Sequence, residues 1–278
     1  MEKIKRTLVS IGLFVATQIL VSVIFLIAGV AQGMDMQTAV NSTLGPVLLV
    51  SDFLVIVILL LLKYCHIKEL FKKVPFDVLL ISIVFALCGM FAVELLSSTV
   101  EIPNTLAEQF EAMAGTLSGF LGICIVGPIM EEIIMRRVIL KEMAKATKSM
   151  WWGIIISSAL FAIIHINPIQ VVFAMPAGIF LGWLYCKTGS LLVPICIHII
   201  NNTISFVTMS YGSGDEISLN STLGMILFLS FVIVSIGTGI WIVRYYNKVK
   251  EQQQLQQAEA EPVESTSTGT FQGDNYEK

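Results

Sequence analysis

The chain returns repeatedly to apolar runs long enough to cross a bilayer, and no other feature limits its fold so tightly. A spanning helix needs about 20 mostly apolar residues. Candidate runs lie at Leu8 to Ala31, Leu44 to Leu62, Val78 to Leu96, Met113 to Ile134, Trp151 to His165, Ile169 to Tyr185, Leu191 to Met209 and Leu223 to Tyr245. Inside hydrocarbon every backbone N–H and C=O must find its partner within the protein, and continuous runs of this length do so as helices. The expectation is an all-α, polytopic membrane bundle of about eight transmembrane helices, with the lipid bilayer as its solvent.

Composition agrees: 55% of the 278 residues are hydrophobic and 13% are charged, against about 25% charged in a soluble domain. A net charge of −3 gives no reason to expect a nucleic-acid partner. Cys65, Cys88, Cys124, Cys186 and Cys196 lie in or beside apolar runs without a CxxC pair, so they read as small buried hydrophobes. Lys3, Lys5 and Arg6 before the first run resemble the start of a secretory signal. That run, however, exceeds the roughly 7 to 15 apolar residues of a signal core, and the expectation is a retained span.

The positions of the cations test the span count, because Lys and Arg gather in cytoplasmic loops. With eight spans, all 17 basic residues fall on one face: before the first run, after the second (Lys63, Lys68, Lys72, Lys73), after the fourth (Arg136 to Lys148), after the sixth (Lys187) and at or beyond the eighth. Both termini are therefore expected in the cytoplasm of a multi-pass cell-membrane protein. The opposite face carries Asp35, Glu101, Glu108, Glu111, Asp215 and Glu216. Leu106, Phe110 and Met113 at helical spacing predict a short interfacial helix there. The expected domain layout is a transmembrane unit over 1–248 and a disordered cytoplasmic tail over 249–278, whose Gln, Glu, Ser, Thr and Gly cannot bury enough apolar area to order it.

Ionisable residues inside membrane helices are costly, and so are functional candidates by default. Here they are Asp52, Glu94, Glu131, Glu132, His165 and His198, the last with Asn201 and Asn202 beside it. Pro128 precedes Glu131 and Glu132, where a kinked helix can open a wet cavity. Glu132 and Arg136 share a helical face and can pair, which leaves Glu131, about 100° away, for other work. His198 and Asn202 also share a face. Two carboxylates, two imidazoles and an amide from three spans suit water activation and carbonyl polarisation. Neither HExxH nor GxSxG occurs, and Ser157, Ser158 and Ser205 read as helix-packing serines. Depth fits less easily: His198 lies about 10 Å into its span and His165 about 21 Å. The site is expected in a cavity open to the cytoplasm.

Three motifs on separate spans resemble the CPBP (Abi) family, which includes type II CAAX prenyl proteases and bacteriocin-processing or self-immunity membrane proteins. They are EExxxR after a proline (Pro128, Glu131, Glu132, Arg136), FxxxH (Phe161, His165) and HxxxN after Ser-Leu-Leu-x-Pro (Ser190 to Pro194, then His198 and Asn202). The resemblance covers roughly Ser118 to Asn202, within a family-like core of about 113–209. The family often has Gly where this chain has Arg137.

The resemblance implies an intramembrane endopeptidase. Glu131 activates a water with help from His165, His198 and Asn202 bind that water or stabilise the oxyanion, and Glu132 with Arg136 orders the surroundings, beside Phe161. It implies catalysis without a cofactor. Glu131, His165 and His198 would nevertheless be an acceptable zinc set if the enzyme were metal-dependent. The partner is a membrane-associated peptide or protein; its identity, its prenylation and the oligomeric state are not legible in the sequence. The rival reading is a non-proteolytic binding, immunity or regulatory protein on the same fold. A proton-coupled transporter is disfavoured by the lack of inverted repeats.

Overall fold

The computed structural model describes residues 2–211 and 217–260. Among them every regular element is helical: α1 (Glu2–Ala31), α2 (Met36–Leu61), α3 (Ile67–Leu70), α4 (Phe76–Ser97), α5 (Ala107–Met113), α6 (Leu117–Thr147), α7 (Met150–Ile163), α8 (Pro168–Thr188), α9 (Leu192–Tyr211) and α10 (Thr222–Ala260). Local chemistry sets many of the ends. Asp35 accepts from the Thr38 N–H at the start of α2, Thr116 from Gly119 at the start of α6, and Ser149 from Trp152 at the start of α7. Gly189 closes α8 at φ +61°, a backbone state that glycine adopts without strain.

Among the described residues seven helices are long and apolar enough to span a membrane, where the sequence pointed to about eight. The difference is α7, which has 14 residues, about 21 Å of rise. The apolar run continues past Ile163, but Pro168 restricts Asn167 to extended backbone and lacks an N–H, so the chain turns at Ile164 to Asn167. A short helix is present in the expected segment as α5. At the other end α10 continues to Ala260, so 249–260, expected as the start of a disordered tail, is helical. The rest of that tail, and Asp215 and Glu216, lie outside the described residues.

Helix α6 is not regular. It contains two wide, π-type stretches, Leu121–Val126 and Ile133–Leu140, on either side of the two glutamates, and such stretches favour functional sites. α6 lies centrally: its buried Met130, Ile133, Ile134 and Ile139 pack with Val55 and Leu59 of α2 and with Ile154 and Phe161 of α7. A second apolar cluster joins α4, α8, α9 and α10 through Ala86, Leu181, Val193 and Ile242. Helices α7 and α8 run antiparallel at close range, Gly178 against Ser158 and Gly182 against Ile154. That register carries the start of α8 beyond the end of α7, so His165 is recessed within the bundle.

On the basic side, α3 is tied to α6 by Glu69, which takes both Nε and Nη2 of Arg137. The residue that departs from the family's small-residue pattern thus pins a connecting loop to the helix that carries the glutamates.

Candidate active site

Pro128 has no N–H to donate. In the wide register of this turn, where the Gly127 N–H reaches Gly122 O, the carbonyl freed by that missing donor is Ile123 O. The Asn202 amide fills the gap, its Nδ2 donating to Ile123 O at 3.0 Å. The proline of the first motif and the asparagine of the third are therefore two halves of one contact between α6 and α9.

One turn later stand the glutamates. Glu132 is fully buried and its Oε2 lies 2.9 Å from Arg136 Nε, itself 1% exposed. The two atoms are close but not aligned for a hydrogen bond, and Arg136 Nη1 has no hydrogen-bond partner among the described residues. The guanidinium is held by charge, by Nη2 donating to Gly178 O at 3.4 Å, and by the Phe161 ring, 5.0 Å from its Cζ.

Glu132 Oε1 lies 2.9 Å from His198 Nδ1, and Glu131 Oε2 lies 3.5 Å from His198 Nε2. His198 thus bridges the two carboxylates. Carboxylate oxygens accept, so Nδ1 donates to Glu132. The Nε2 contact becomes a hydrogen bond only when a further proton lies on His198 Nε2 or on Glu131.

His165 joins through Phe161, whose ring stands edge-on to both imidazoles, at 4.8 Å from His165 and 5.7 Å from His198 between centroids. The difference in depth read from span lengths does not keep the two apart, because both histidines meet the same Phe161 ring and line the same cavity. His165 Nδ1 is 2.7 Å from Phe161 O. A carbonyl only accepts, which places the ring proton on Nδ1 and leaves Nε2 of the neutral ring with a lone pair.

His165, His198 and Asn202 line a cavity of about 310 Å³ with apolar walls that include Ile123, Phe173 and Phe206. Glu94, Asn104, Phe110 and Met209 also line it; Glu94 and Met209 lie near the ends of α4 and α9 remote from the basic loops. No Lys or Arg lines it. Glu131 is 20% exposed and lies behind His198, in a small gap shared with Ile11 and Phe14 of α1. Among the described residues no three His, Cys, Asp or Glu side chains gather in a metal-binding group.

Other candidates have structural partners. Ser157 and Ser158 both donate to Ile154 O. Asp52 Oδ1 accepts from Gln18 Nε2 at 2.9 Å, and its other oxygen lies beside Gly127, so the pair supports the turn of α6 before the glutamates. Sequence reasoning missed Asn167 and Asn104, whose side chains are joined at 2.8 Å on the cavity rim. The Asn-Pro pair at 167–168 signals a helix start, but nothing in sequence announces its distant partner.

Comparison with known proteins agrees with this geometry. Residues 113–204 match the model of the family described as Type II CAAX prenyl endopeptidase Rce1-like. A Bacillus subtilis (strain 168) protein named "Putative membrane peptidase YdiL" is 30% identical over 161 residues, 53% of this chain and 64% of that protein. The match thus spans less than two thirds of the relative's length. No solved structure matches the chain significantly. The segment matched by the family model contains all three motifs, with Glu131, Glu132, Arg136, Phe161, His165, His198 and Asn202, so the resemblance read from those motifs holds for it.

Proposed function

We propose that this chain is an intramembrane endopeptidase that hydrolyses a peptide bond of a membrane-associated peptide or protein. The observation that carries the proposal is His198, which touches both glutamates of the first motif and lines the cavity that also receives His165 and Asn202. The family match and the name of the relative support the same class of reaction.

In the proposed reaction a water in the cavity is oriented by the Nε2 lone pair of His165. Its oxygen attacks the peptide carbonyl while its proton passes to the Glu131–His198 pair. Asn202 uses one amide hydrogen on Ile123 O and has a second to offer the oxyanion. The C–N bond then breaks and the same proton moves to the leaving amine, giving a carboxylic acid and an amine. Arg136 and Glu132 hold His198 in register and do not meet substrate. The reaction is written without a metal; stoichiometric zinc in purified protein, with activity lost on chelation and restored by zinc, would overturn that part.

The orientation belongs to the same proposal. With the basic loops in the cytoplasm, the large cavity opens toward the extracytoplasmic side, in place of the cytoplasmic mouth expected from sequence. The test is cleavage of membrane-anchored peptides by purified protein in nanodiscs, comparing wild type with Glu131→Gln and His165→Ala at matched folding. Loss of cleavage in both variants is expected. A biological effect that survives Glu131→Gln, with no cleavage by wild type, would favour the non-proteolytic binding protein.

A further inference from the structure

Helix α7 does not simply end; its last turns tighten around His165. Ile164 N–H still bonds to Leu160 O, but His165 N–H turns to Ala162 O and Ile166 N–H to Ile163 O. Phe161 O is left without the backbone donor a regular helix supplies, and His165 Nδ1 takes that carbonyl. The Asn167 N–H then donates to His165 O at 2.6 Å, around an Ile166 at φ +61°.

This is a γ-turn of the rare, strained, positive-φ hand, built on a β-branched residue where Gly or Asn is the usual occupant. Such a backbone persists only where its surroundings over-determine it. Ile166 is 82% exposed, so its own side chain does not hold the turn, whereas Asn167 is 1% exposed. Asn167 Oδ1 accepts from the N–H and the Oγ1 of Thr105 at 3.0 and 3.3 Å, and its Nδ2 donates to Asn104 Oδ1 at 2.8 Å. The Ile169 N–H adds a bond to Pro103 O. Asn167 stands at the N-cap of α8, a position asparagine favours because it can cap its own helix. Here its side chain makes no cap bond and grips the loop before α5 instead.

Resting on the endopeptidase reading above, we propose that Asn167 is a positioning residue for His165. Its clamp on Asn104 and Thr105 holds the strained turn at Ile166, and that turn fixes the imidazole with Nδ1–H on Phe161 O and Nε2 toward the cavity. The loop over 103–105 thereby becomes part of the active site without contributing a reacting group.

The chain has only 3 histidines, so nitrogen NMR of histidine-labelled protein in nanodiscs is assignable by single replacements. Wild type is expected to show His165 as one fixed form with the proton on Nδ1, and Asn167→Ala the averaged signal of a freely turning ring. On the same preparations kcat should fall about 100-fold, the scale of a displacement near 1 Å, with KM within about twofold. Replacing Ile166 by Asn, which tolerates positive φ, in the Asn167→Ala background should recover about tenfold. Asn104→Ala removes one clamp bond with less risk to folding and should loosen the same ring signal in part.

A His165 signal unchanged in both Asn167→Ala and Asn104→Ala overturns the proposal, as does a change confined to KM, which would make Asn167 a substrate contact. A ring that loosens in a protein with no wild-type cleavage supports the positioning role and refutes the endopeptidase reading. The two failures are therefore distinguishable.

Discussion

Replacing Glu132 by Gln isolates the charge at the centre of the site. Glutamine keeps the size of the side chain and an acceptor for His198 Nδ1, so packing and that hydrogen bond survive. What is lost is the partner of Arg136, which is 1% exposed and whose remaining neighbours are Gly178 O and the Phe161 ring. Leaving one member of a buried ion pair uncompensated costs about 3–5 kcal/mol, roughly 100- to 1000-fold or more in the folding equilibrium at about 1.4 kcal/mol per tenfold. Replacing both partners removes the stranded charge, so Glu132→Gln with Arg136→Met should lie within about 1 kcal/mol of wild type. The assay is unfolding by SDS in mixed micelles, followed by tryptophan fluorescence, with the double-mutant cycle giving a coupling of at least about 2 kcal/mol. A single variant that loses less than about 1 kcal/mol, or a double variant that loses the sum of both singles, refutes the reasoning.

Asn202→Ala should cost about 1–3 kcal/mol by stranding Ile123 O. Pro128→Ala returns an N–H to that register and should recover part of the loss, whereas simple additivity in the same unfolding assay would break the proposed link between the two motifs. On the basic face, burial pushes the Cys65 thiol up to about 11, with the Glu69 charge adding to it. Cys65 should therefore resist maleimide near neutral pH in wild type and label in Arg137→Ala, which releases α3; equal labelling rates would contradict the tie. Burial also pushes the Glu69 carboxyl up, but the hydrogen bonds and charge of Arg137 outweigh it and hold Glu69 below its ordinary 4.5. A lowered acid contributes stability above its unfolded value and loses it as pH falls through its folded value. Wild type should thus lose its advantage over Glu69→Gln on titration below 4.5; an advantage unchanged at lower pH would contradict the pairing.

How much of this was legible in the sequence depended on how local the cause was. Long apolar runs announce spanning helices because the bilayer leaves the backbone few options, and α4, α8 and α9 follow the runs closely, whereas α2 starts earlier and α10 runs on past its apolar stretch. Glu132 with Arg136, and His198 with Asn202, follow from helical spacing alone. Three things were hidden. The shortness of α7 depends on how the chain meets Pro168, and apolar Ile163, Ile164 and Ile166 masked that end. The wide turn at Leu121–Val126 goes with the meeting of Pro128 and Asn202 across α6 and α9, a tertiary fact. The clamp of Asn167 on Asn104 and Thr105 spans more than 60 residues and uses side chains that, read singly, are ordinary loop amides.

The measurement that bears most directly on the central claim is cleavage of a membrane-anchored peptide by purified protein in water enriched in oxygen-18, read by mass spectrometry of the products. The account predicts one heavy oxygen in the newly formed C-terminal carboxyl, and no product from Glu131→Gln. Product at the wild-type rate from Glu131→Gln, or cleavage that leaves the new carboxyl unlabelled, would contradict it.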